Sequence, residues 1–411
     1  MNDTKLYEQI LGIEEPWYVK AVTLKIAEEI IEVEVECKET LWGCPQCGQR
    51  MHKHDEERRR WRHLDSCQFK TYVVSNVPRV KCPDHGTQMV RVPWAEARGR
   101  FSTRFERLAI DLLKDCSTAA ACQILRISWD EADGIKQRAI DRGLKRRTVE
   151  PLKRLCIDEK AVGWGHQYMT IISCADEDKA RVLAVEEDRK EESLNRFWQS
   201  LTPEQRAGIE TVAMDMWEAF YTSTVKYVPD AVNKIVYDNF HIAKYMNKAV
   251  DEVRRSEYFN LKGDEQQSLK GTRQLWLYGL ENLPGKWASR FRALRDVATK
   301  TARAWKVKEL LRSFWDCQGV DEATAFFKDW CKEAMATRLE PVKKVVKLLK
   351  RHWTNIATYF RYGLSNAHAE GINSRIQQLI QQACGYRNRE RFKRDVLFHL
   401  GELDLYPVIV Q

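Results

Sequence analysis

Three acidic residues that lie far apart in the chain could together hold metal ions. Asp158 ends the strand-like run "KRLCID", Asp215 ends "IETVAMD", and Glu370 lies in "SNAHAEGINSRIQQL", residues 365–379. Three carboxylates supply hard oxygen ligands for two Mg²⁺ ions, which can activate a nucleophile and stabilise the leaving oxygen of a phosphodiester. These residue types therefore predict metal-dependent phosphodiester chemistry, provided that the fold brings the acids together.

The order of the elements around Asp158 and Asp215 predicts a fold that would do so. Three short β-rich runs, "KRLCID", "HQYMTIISC" and "ARVLAVEE", precede alternating helical and strand-like segments. This order is typical of a ribonuclease H-like core, in which the first and fourth strands of a mixed sheet lie side by side. Asp158 closes the first strand and Asp215 the fourth, so both carboxylates would emerge near one edge of the sheet. Alternatively, Asp215 caps the following helix and Asp158 ends its strand in a turn.

Glu370 is predicted on a helix that packs against this sheet. Ser365 can cap the helix, and Glu370 lies beside an apolar stripe with Asn373 and Gln377 on the neighbouring face. The stripe consists of Ala369, Ile372, Ile376 and Leu379. In this architecture Glu370 becomes the third metal ligand instead of a solvent-exposed acid.

A fourth acid, Asp238, follows the next strand-like run. It ends the fifth predicted strand in "YDNFH", and His241 follows within a turn. An acid and a histidine near a metal often orient its ligands through hydrogen bonds, and an aspartate here can also cap a helix. We interpret Asp238 and His241 as supporting groups of this kind, with direct participation as the less favoured alternative.

Two cysteine-containing knuckles in the N-terminal third predict a zinc site. "CPQCG" and "CPDHG" can turn Cys44, Cys47, Cys82 and His85 towards one tetrahedral Zn²⁺, because each tight turn brings two ligands within reach of a single ion. The alternative is a set of unrelated thiols. Neighbouring residues outside the knuckles are expected to pack or to face solvent: Cys37, Cys67, His52, His54 and His63.

Three basic segments are candidates for DNA contacts. "RRRWRH" offers Arg58, Arg59, Arg60 and Arg62 around an aromatic side chain, and "GYRNRERFKR" at 385–394 offers Arg387, Arg389 and Lys393. The helical stretch 117–140 has the outline of a helix-turn-helix, whose second helix would present Lys136, Gln137 and Arg138. The alternatives are a solvated charged face for the two runs and a plain helical hairpin for the third segment.

Capping boxes locate the starts of two helices in this region. Thr103 with Glu106 and Ser128 with Glu131 both have the spacing of an N-cap residue and its partner three positions later. The second helix of the predicted helix-turn-helix would therefore begin just after Ser128.

The composition predicts a cytoplasmic protein without a membrane segment. The chain has 411 residues, of which 44% are hydrophobic and 12 are cysteines. It lacks a run of about 18 apolar residues and a signal-peptide pattern, so the cysteines are interpreted as thiols or metal ligands. The formal net charge of +9 permits a polyanionic partner without proving one.

The changes of pattern along the chain predict an α/β multidomain protein. Residues 1–98 would form a β-rich zinc-binding domain and 99–150 a helix-turn-helix domain. Residues 151–253 would form the first part of a ribonuclease H-like catalytic core, 254–358 an all-helical insertion, and 359–411 the C-terminal helices of the core. The tryptophans of the insertion have helical spacing and are predicted to form a core.

The chain resembles the ISL-three group of bacterial insertion-sequence transposases, which belong to the DDE class. The resemblance runs through the two knuckles, the helix-turn-helix and "CIDEK". It is most specific in three segments: "AMDMWEAFYTSTVKYVPDA", "VYDNFHIAKYMNKAVDEVRR" and "SNAHAEGINSRIQQLIQQACGYRNRERF". Their order and spacing make a chance similarity improbable.

The resemblance implies Asp158, Asp215 and Glu370 as the catalytic triad, with Mg²⁺ or Mn²⁺ in the active site and a structural Zn²⁺ near the N-terminus. It implies double-stranded DNA as partner, both transposon ends with their terminal inverted repeats and target DNA. A homodimer is expected because two ends need two active sites. The alternatives are a zinc-containing DNA-binding regulator that derives from a transposase and lacks catalysis, and a nuclease that cleaves without joining.

Overall fold

The chain folds into two compact units in the computed structural model, which describes residues 2–163, 167–176, 180–362 and 367–409. The first unit comprises Met1–Thr148 together with Glu402–Gln411, and the second comprises Val149–Gly401. The two predicted N-terminal domains therefore share one unit.

A five-stranded sheet dominates the first part of the first unit. Helix α1 (Asp3–Leu11) precedes β1 (Trp17–Lys25), β2 (Ile30–Cys37), β3 (Leu41–Gly43), β4 (Arg50–His52), β5 (Asp55–Arg62), β6 (Lys70–Cys82) and β7 (Gly86–Met89). The strand order is β1-β2-β6-β5, with β7 paired to β6, while β3 and β4 form a separate hairpin. Alternation along β2 buries Val33 and Val35 on one face and leaves Glu32 and Glu34 on the other.

Three helices complete the first unit and contain the predicted helix-turn-helix. They are α2 (Thr103–Asp115), α3 (Thr118–Leu125) and α4 (Trp129–Arg146). The capping box of Ser128 and Glu131 is confirmed at the start of α4. The box of Thr103 and Glu106 is wrong, because Ser102 caps α2 and the buried Glu106 side chain bonds arginines of α4 instead.

The C-terminal segment 402–409 packs on the helices of the first unit. Arg142 donates to the carbonyl oxygen of Leu405, and Arg146 donates to that of Tyr406 at 2.7 Å. The Tyr406 hydroxyl in turn donates to Asp111 at 2.6 Å. The predicted assignment of this segment to the catalytic core is wrong, since such distant contacts leave no local signal in the sequence.

A mixed sheet forms the centre of the second unit. Its strands are β8 (Arg154–Gly163), β9 (Gln167–Cys174), β10 (Arg181–Glu187), β11 (Thr211–Met214) and β12 (Ile235–Tyr237), in the order β10-β9-β8-β11-β12. β8, β9 and β10 form an antiparallel meander, and β11 pairs in parallel with both β8 and β12. The predicted pairing of the first and fourth strands is therefore confirmed.

Helices surround this sheet and build the insertion. They are α5 (Glu191–Ser200), α6 (Pro203–Gly208), α7 (Glu218–Tyr227), α8 (Ala231–Lys234), α9 (Asn239–Asn260), α10 (Gly263–Leu269), α11 (Arg273–Leu277), α12 (Ala288–Val297), α13 (Thr299–Arg312), α14 (Val320–Ala336), α15 (Glu340–Arg351), α16 (Trp353–Ala357), α17 (Tyr359–Tyr362), α18 (Ala367–Gln382) and α19 (Arg389–Leu400). Trp276, Trp305 and Trp330 are buried, which confirms the core interpretation for these three residues. The predicted boundary between residues 253 and 254 falls inside α9, which packs against α13 and α15 and extends the core into the insertion. Among the described residues, every helix is too short or too polar to span a membrane.

Candidate functional site

Asp158, Asp215 and His241 meet at one edge of the central sheet. Each offers one metal-binding atom, and these atoms all lie within 4.8 Å of one another. His241 Nε2 is 2.8 Å from Asp215 Oδ1 and 3.8 Å from Asp238 Oδ2. We call these four residues the acid cluster: Asp158, Asp215, Asp238 and His241.

Strand register explains why three acids converge. Met214 on β11 pairs with Ile157 on β8 and with Tyr237 on β12, and an aspartate follows each of these three residues. Because neighbouring parallel strands end at a common edge, the three following aspartates emerge side by side. The prediction that Asp158 ends its strand is wrong in detail, since β8 continues to Gly163 in its antiparallel pairing with β9.

Asp215 and Asp238 differ in what they do for the following helices. Asp238 caps α9, because its Oδ1 accepts the N–H of Phe240 at 2.9 Å. Asp215 does not cap α7, since Trp217 occupies the N-cap position and the side chain of Asp215 contacts His241. Helix capping therefore accounts for the position of Asp238 but not for that of Asp215, whose side chain pairs with His241 instead.

Asp158 is anchored by the backbone and by helix α18. Its Oδ1 accepts the N–H of Glu159 at 2.7 Å, and its Oδ2 accepts a hydrogen bond from Asn373 Nδ2. Helix α18 packs against β8 at this point. Asn373 was assigned no role from the sequence, although its position one turn after Glu370 was a usable signal.

Glu370 lies in the first turn of α18 and is exposed. Its carboxylate is not part of the group that brings Asp158, Asp215 and His241 together. The apolar stripe behind it is buried at Ile372 and Ile376, as predicted. Ser365, the predicted cap of this helix, lies outside the described residues.

The electrostatics of the acid cluster reflect crowded negative charge. Burial raises the pKa of Asp215, while the hydrogen bond and charge of His241 oppose this shift. Burial alone would lower the pKa of His241, but the hydrogen bond and charge of Asp215 outweigh it and raise that pKa. Asp215 and His241 are therefore held as a coupled pair beside two further carboxylates, an environment that favours a cation.

The predicted zinc ligands form a second group in the first unit. Cys44, Cys47, Cys82 and His85 present metal-binding atoms within 4.8 Å of one another. The Cys47 and Cys82 sulfurs are 3.7 Å apart, and the Cys82 sulfur is 3.4 Å from His85 Nδ1. Tetrahedral Zn²⁺ with bonds of about 2.0–2.3 Å places its ligand atoms at about these separations.

Local backbone geometry prepares this site for a metal. Backbone N–H groups of Cys47 and Gln46 lower the pKa of Cys44 to about 7, which favours the thiolate that zinc needs. Gly48 has a φ of 77°, a left-handed conformation that closes the first knuckle by a bond from its N–H to the Cys44 carbonyl oxygen. The Cys₃His donor set thus fits structural Zn²⁺.

The candidate DNA contacts of the helix-turn-helix are largely engaged within the unit. Lys136 is only 3% exposed and donates to Thr118 Oγ1 at 3.1 Å, so the prediction that it is available to DNA is wrong. Arg138 donates to the buried Glu106, and Gln137 donates to Asp141 at 2.8 Å. Lys136 lies on the inner face of α4, and the local pattern of charges does not indicate this orientation.

The arginines of "RRRWRH" lie on strand β5 and bond to their neighbours. Arg62 is buried against Asp65 and the His63 carbonyl oxygen, so it too is unavailable to DNA. Arg60 pairs with Glu32 at 3.0 Å, Arg58 lies 4.0 Å from Glu34, and Arg59 donates to the Gly99 carbonyl oxygen at 3.2 Å. These contacts favour an ion-paired outer face of the sheet over a phosphate-binding patch.

The C-terminal basic residues surround the start of α19. Arg387 is exposed before the helix, Lys393 is half-buried on it, and Arg389 lies 3.7 Å from Asp188 Oδ1. Arg387 keeps the exposure that a DNA contact needs and Lys393 keeps part of it, whereas Arg389 already faces acidic side chains.

Comparison with protein families gives three matches along the chain. The family described as "Transposase" matches residues 155–396, more than half of the chain and including the whole acid cluster. The "zinc-finger of transposase IS204/IS1001/IS1096/IS1165" matches 40–85, and the "Helix-turn-helix domain of transposase family ISL3" matches 90–139.

Individual relatives extend over nearly the full length. The transposase for insertion sequence element IS1557 of Mycobacterium tuberculosis is 24% identical over 420 residues, covering 94% of this chain and 93% of the relative. The transposase for insertion sequence element IS1001 of Bordetella parapertussis is 26% identical over 356 residues, covering 85% of this chain and 86% of the relative.

Proposed function

Because the chain belongs to the ISL3 family of transposases, the ISL-three group, we propose that Asp158, Asp215 and Glu370 catalyse cleavage and joining of DNA strands at the ends of an insertion sequence. One observation carries this assignment of residues. Asp158 and Asp215 converge after paired residues of adjacent parallel strands, and Asp215 does not cap the helix that follows it. Such a pair is what metal-dependent phosphoryl transfer requires.

The fold of the second unit is proposed to be ribonuclease H-like. A strand order in which the first strand lies between the second and the fourth supports this assignment, as does the family match over the same residues. The antiparallel meander followed by parallel strands also agrees with it.

A divalent cation fits the acid cluster. Asp158 and Asp215 would hold Mg²⁺ or Mn²⁺ with carboxylate oxygens, with His241 beside them as the hydrogen-bond partner of Asp215. When bound, such a cation would activate an attacking hydroxyl and stabilise negative charge on the phosphate oxygens. Burial raises the pKa of Asp215, and the negative charges of Asp158 and Asp238 add to that shift, so a cation bound there would be favoured.

The surrounding residues keep the two aspartates oriented. Asn373 holds one oxygen of Asp158, and His241 holds one oxygen of Asp215. Asp238 lies behind His241 and fixes the start of α9 through its capping bond. Asp238 and His241 thereby support the acids that face the substrate.

Glu370 is proposed to complete the site by a movement of its flexible side chain. It is exposed, and it lies one helical turn before the residue that touches Asp158. Such a rotation of the side chain would leave the buried stripe of α18 in place. Charge from a bound cation would favour this rotation.

The first unit is proposed to recognise the terminal repeats of the element. Its helix-turn-helix family match supports DNA binding, and the Cys₃His site supports a zinc-stabilised scaffold beside those helices. Because Lys136 and Arg62 are buried, base contacts would come from exposed positions such as Gln123 and Trp129 around the turn between α3 and α4.

The test is cleavage of a plasmid that carries both ends of the DNA element encoding this chain. Mg²⁺ or EDTA is added to the wild type, to Asp215→Asn and to Glu370→Gln. Wild type should nick at the ends only with Mg²⁺, and both variants should lose this activity while still binding the DNA. Glu390→Gln is the matched control, since Glu390 is an exposed acid in the first turn of α19.

The outcomes separate the possible functions. Glu370→Gln that cuts as fast as Glu390→Gln would remove Glu370 from the site. Binding without cutting by the wild type would favour a regulator, and cutting without strand joining would favour a nuclease. Size-exclusion chromatography of the DNA complex tests the proposed homodimer, in which two copies would hold two ends.

A further inference from the structure

Two exposed aromatic side chains border the acid cluster and have no part in the chemistry above. Trp217 is 40% exposed and lies two residues after Asp215, and Phe240 is 62% exposed and directly precedes His241. A single exposed hydrophobic side chain needs no explanation. Here two such side chains each lie within two residues of a member of the acid cluster. Together they indicate a surface that binds a flat, apolar group.

Trp217 is held in a fixed orientation. Its ring N–H donates to the carbonyl oxygen of Arg189 at 2.9 Å. Its backbone N–H donates to the carbonyl oxygen of Asp215 at 2.7 Å. The Arg189 guanidinium lies 4.5 Å from the ring centroids of both Trp217 and Tyr168. It also donates to Glu159 at 3.2 Å, the residue next to Asp158. The indole is therefore ordered before any ligand arrives, which reduces the entropic cost of binding to it.

Phe240 is tied to the same site from the other side. Its ring meets the His241 imidazole edge to face with centroids 5.8 Å apart, and its N–H bonds the Asp238 carboxylate. Its exposed ring therefore lies next to His241, the group that pairs with Asp215.

The proposed DNA substrate indicates which group these two rings would bind. Neighbouring Cα atoms are about 3.8 Å apart, so both aromatic residues start within two residue steps of the acid cluster. A phosphodiester that reaches Asp158 and Asp215 carries its flanking nucleotides into this range. In an intact duplex the faces of the bases are covered by their neighbours, so only an unpaired base can offer its face to a side chain.

We propose that Trp217 and Phe240 stack on unpaired nucleobases next to the scissile phosphodiester, so that the DNA end is locally melted when it is cut. This inference rests on the proposed function, because it needs a DNA end at the acid cluster. Aromatic stacking is tolerant of base sequence, so these residues would stabilise the melted state and leave sequence recognition to other parts of the chain.

The experiment uses the full chain with duplexes that carry 2-aminopurine at each position flanking the cleavage site. In the wild-type complex, the fluorescence should depart from that of the free duplex at the flanking positions and return towards it further away. Trp217→Ala and Phe240→Ala should each change this signal and slow cleavage by about 5- to 150-fold, the loss expected for one base stack. Trp217→Phe keeps an aromatic face and should restore most of the rate.

The matched control is Phe259→Ala. Phe259 is 77% exposed on the same helix as Phe240, about 29 Å further along it at 1.5 Å per residue. This variant should keep both the wild-type signal and the wild-type rate. Thermal melting of each variant identifies any loss of folding. Because Phe240 is highly exposed, Phe240→Ala should fold normally, so the test can still be made if Trp217→Ala is unstable.

The possible results separate this inference from the proposed function. Normal cleavage with duplex-like fluorescence at every flanking position would contradict the stacking inference and leave the proposed function intact. So would Trp217→Ala and Phe240→Ala variants that both cut as fast as Phe259→Ala. A wild type that does not cut would overturn the proposed function and this inference with it.

Discussion

Asn373 on α18 donates a hydrogen bond to Asp158 on β8, joining residues that are 215 positions apart in the chain. This bond links the helix that carries Glu370 to the strand that carries the first aspartate. It also occupies one oxygen of Asp158 and leaves the orientation of that carboxylate fixed. A neutral amide is suited to this task because it adds no charge to a crowded acidic site.

Removal of this amide is expected to weaken metal binding. Asn373→Ala should reduce the apparent Mg²⁺ affinity or the cleavage rate by about 10- to 100-fold, as is common for groups that orient metal ligands. The measurement is the cleavage rate as a function of Mg²⁺ concentration. Gln377→Ala, an exposed position one turn further along α18, should behave as wild type. If the two variants gave the same Mg²⁺ dependence, Asn373 would have no such role.

Loss of a zinc ligand is expected to loosen the first unit. Cys44→Ser should abolish stoichiometric Zn²⁺ binding and weaken binding to the element's ends, because the two knuckles would lose their common centre. Metal analysis and a DNA mobility-shift assay on the same sample provide the measurement. Cys67→Ser is the control, since Cys67 is exposed and lies outside the zinc group. Full zinc content in Cys44→Ser would contradict the ligand assignment.

Arg138 is expected to contribute to stability, in contrast to the DNA-contact role expected from the sequence. It donates two hydrogen bonds to Glu106, whose side chain is 2% exposed and also bonds Arg142. Arg138→Ala should lower the free energy of unfolding of the first unit by roughly 1–3 kcal/mol, because a buried carboxylate loses one of its two cationic partners. Denaturant unfolding measures this loss. Gln137→Ala, the neighbouring half-buried position, should change the stability by less than about 0.5 kcal/mol. Unchanged stability in Arg138→Ala together with weakened DNA binding would restore the DNA-contact role.

Features encoded by short-range patterns were predictable from the sequence. The two knuckles and the Ser128 capping box each depend on residues within a few positions of one another, and the meander depends on strands that follow one another directly in the chain. The convergence of Asp158 and Asp215 was also accessible, because the strand order fixes which strand ends are neighbours. For these features, local spacing and topology carry the information.

Features that depend on distant packing were missed. Lys136 was predicted to face DNA because it lies on the second helix of the predicted helix-turn-helix, but the packing of α4 turns it inward towards Thr118. The segment 402–409 returns to the first unit, where it accepts hydrogen bonds from Arg142 and Arg146. No local pattern in the sequence predicts these bonds. Asn373 was missed for a related reason, since its role exists only once α18 lies against β8.

The buried His63 is expected to make the first unit sensitive to acid. Burial, together with the charges of Arg104 and Arg62, lowers the pKa of His63 to about 4, whereas an unfolded histidine has a pKa of about 6.5. Its Nδ1 lies 2.7 Å from the Ser102 hydroxyl, which caps α2 and can donate to a neutral imidazole. Between these two pKa values the unfolded chain binds more protons than the folded chain, so stability falls as the pH is lowered.

The expected loss is about 2 kcal/mol between pH 7 and pH 5, and it approaches roughly 3 kcal/mol below pH 4. Hydrogen exchange of amides in β5 and α2 measures the stability of this unit at each pH. His63→Gln keeps a group that can bond Ser102 but cannot titrate, so its stability should fall less than that of the wild type over the same interval. Other groups titrate equally in both proteins, and the difference between the two profiles therefore isolates His63. Parallel profiles would mean that His63 has a similar pKa in the folded and the unfolded chain, which would contradict its expected contribution to acid sensitivity.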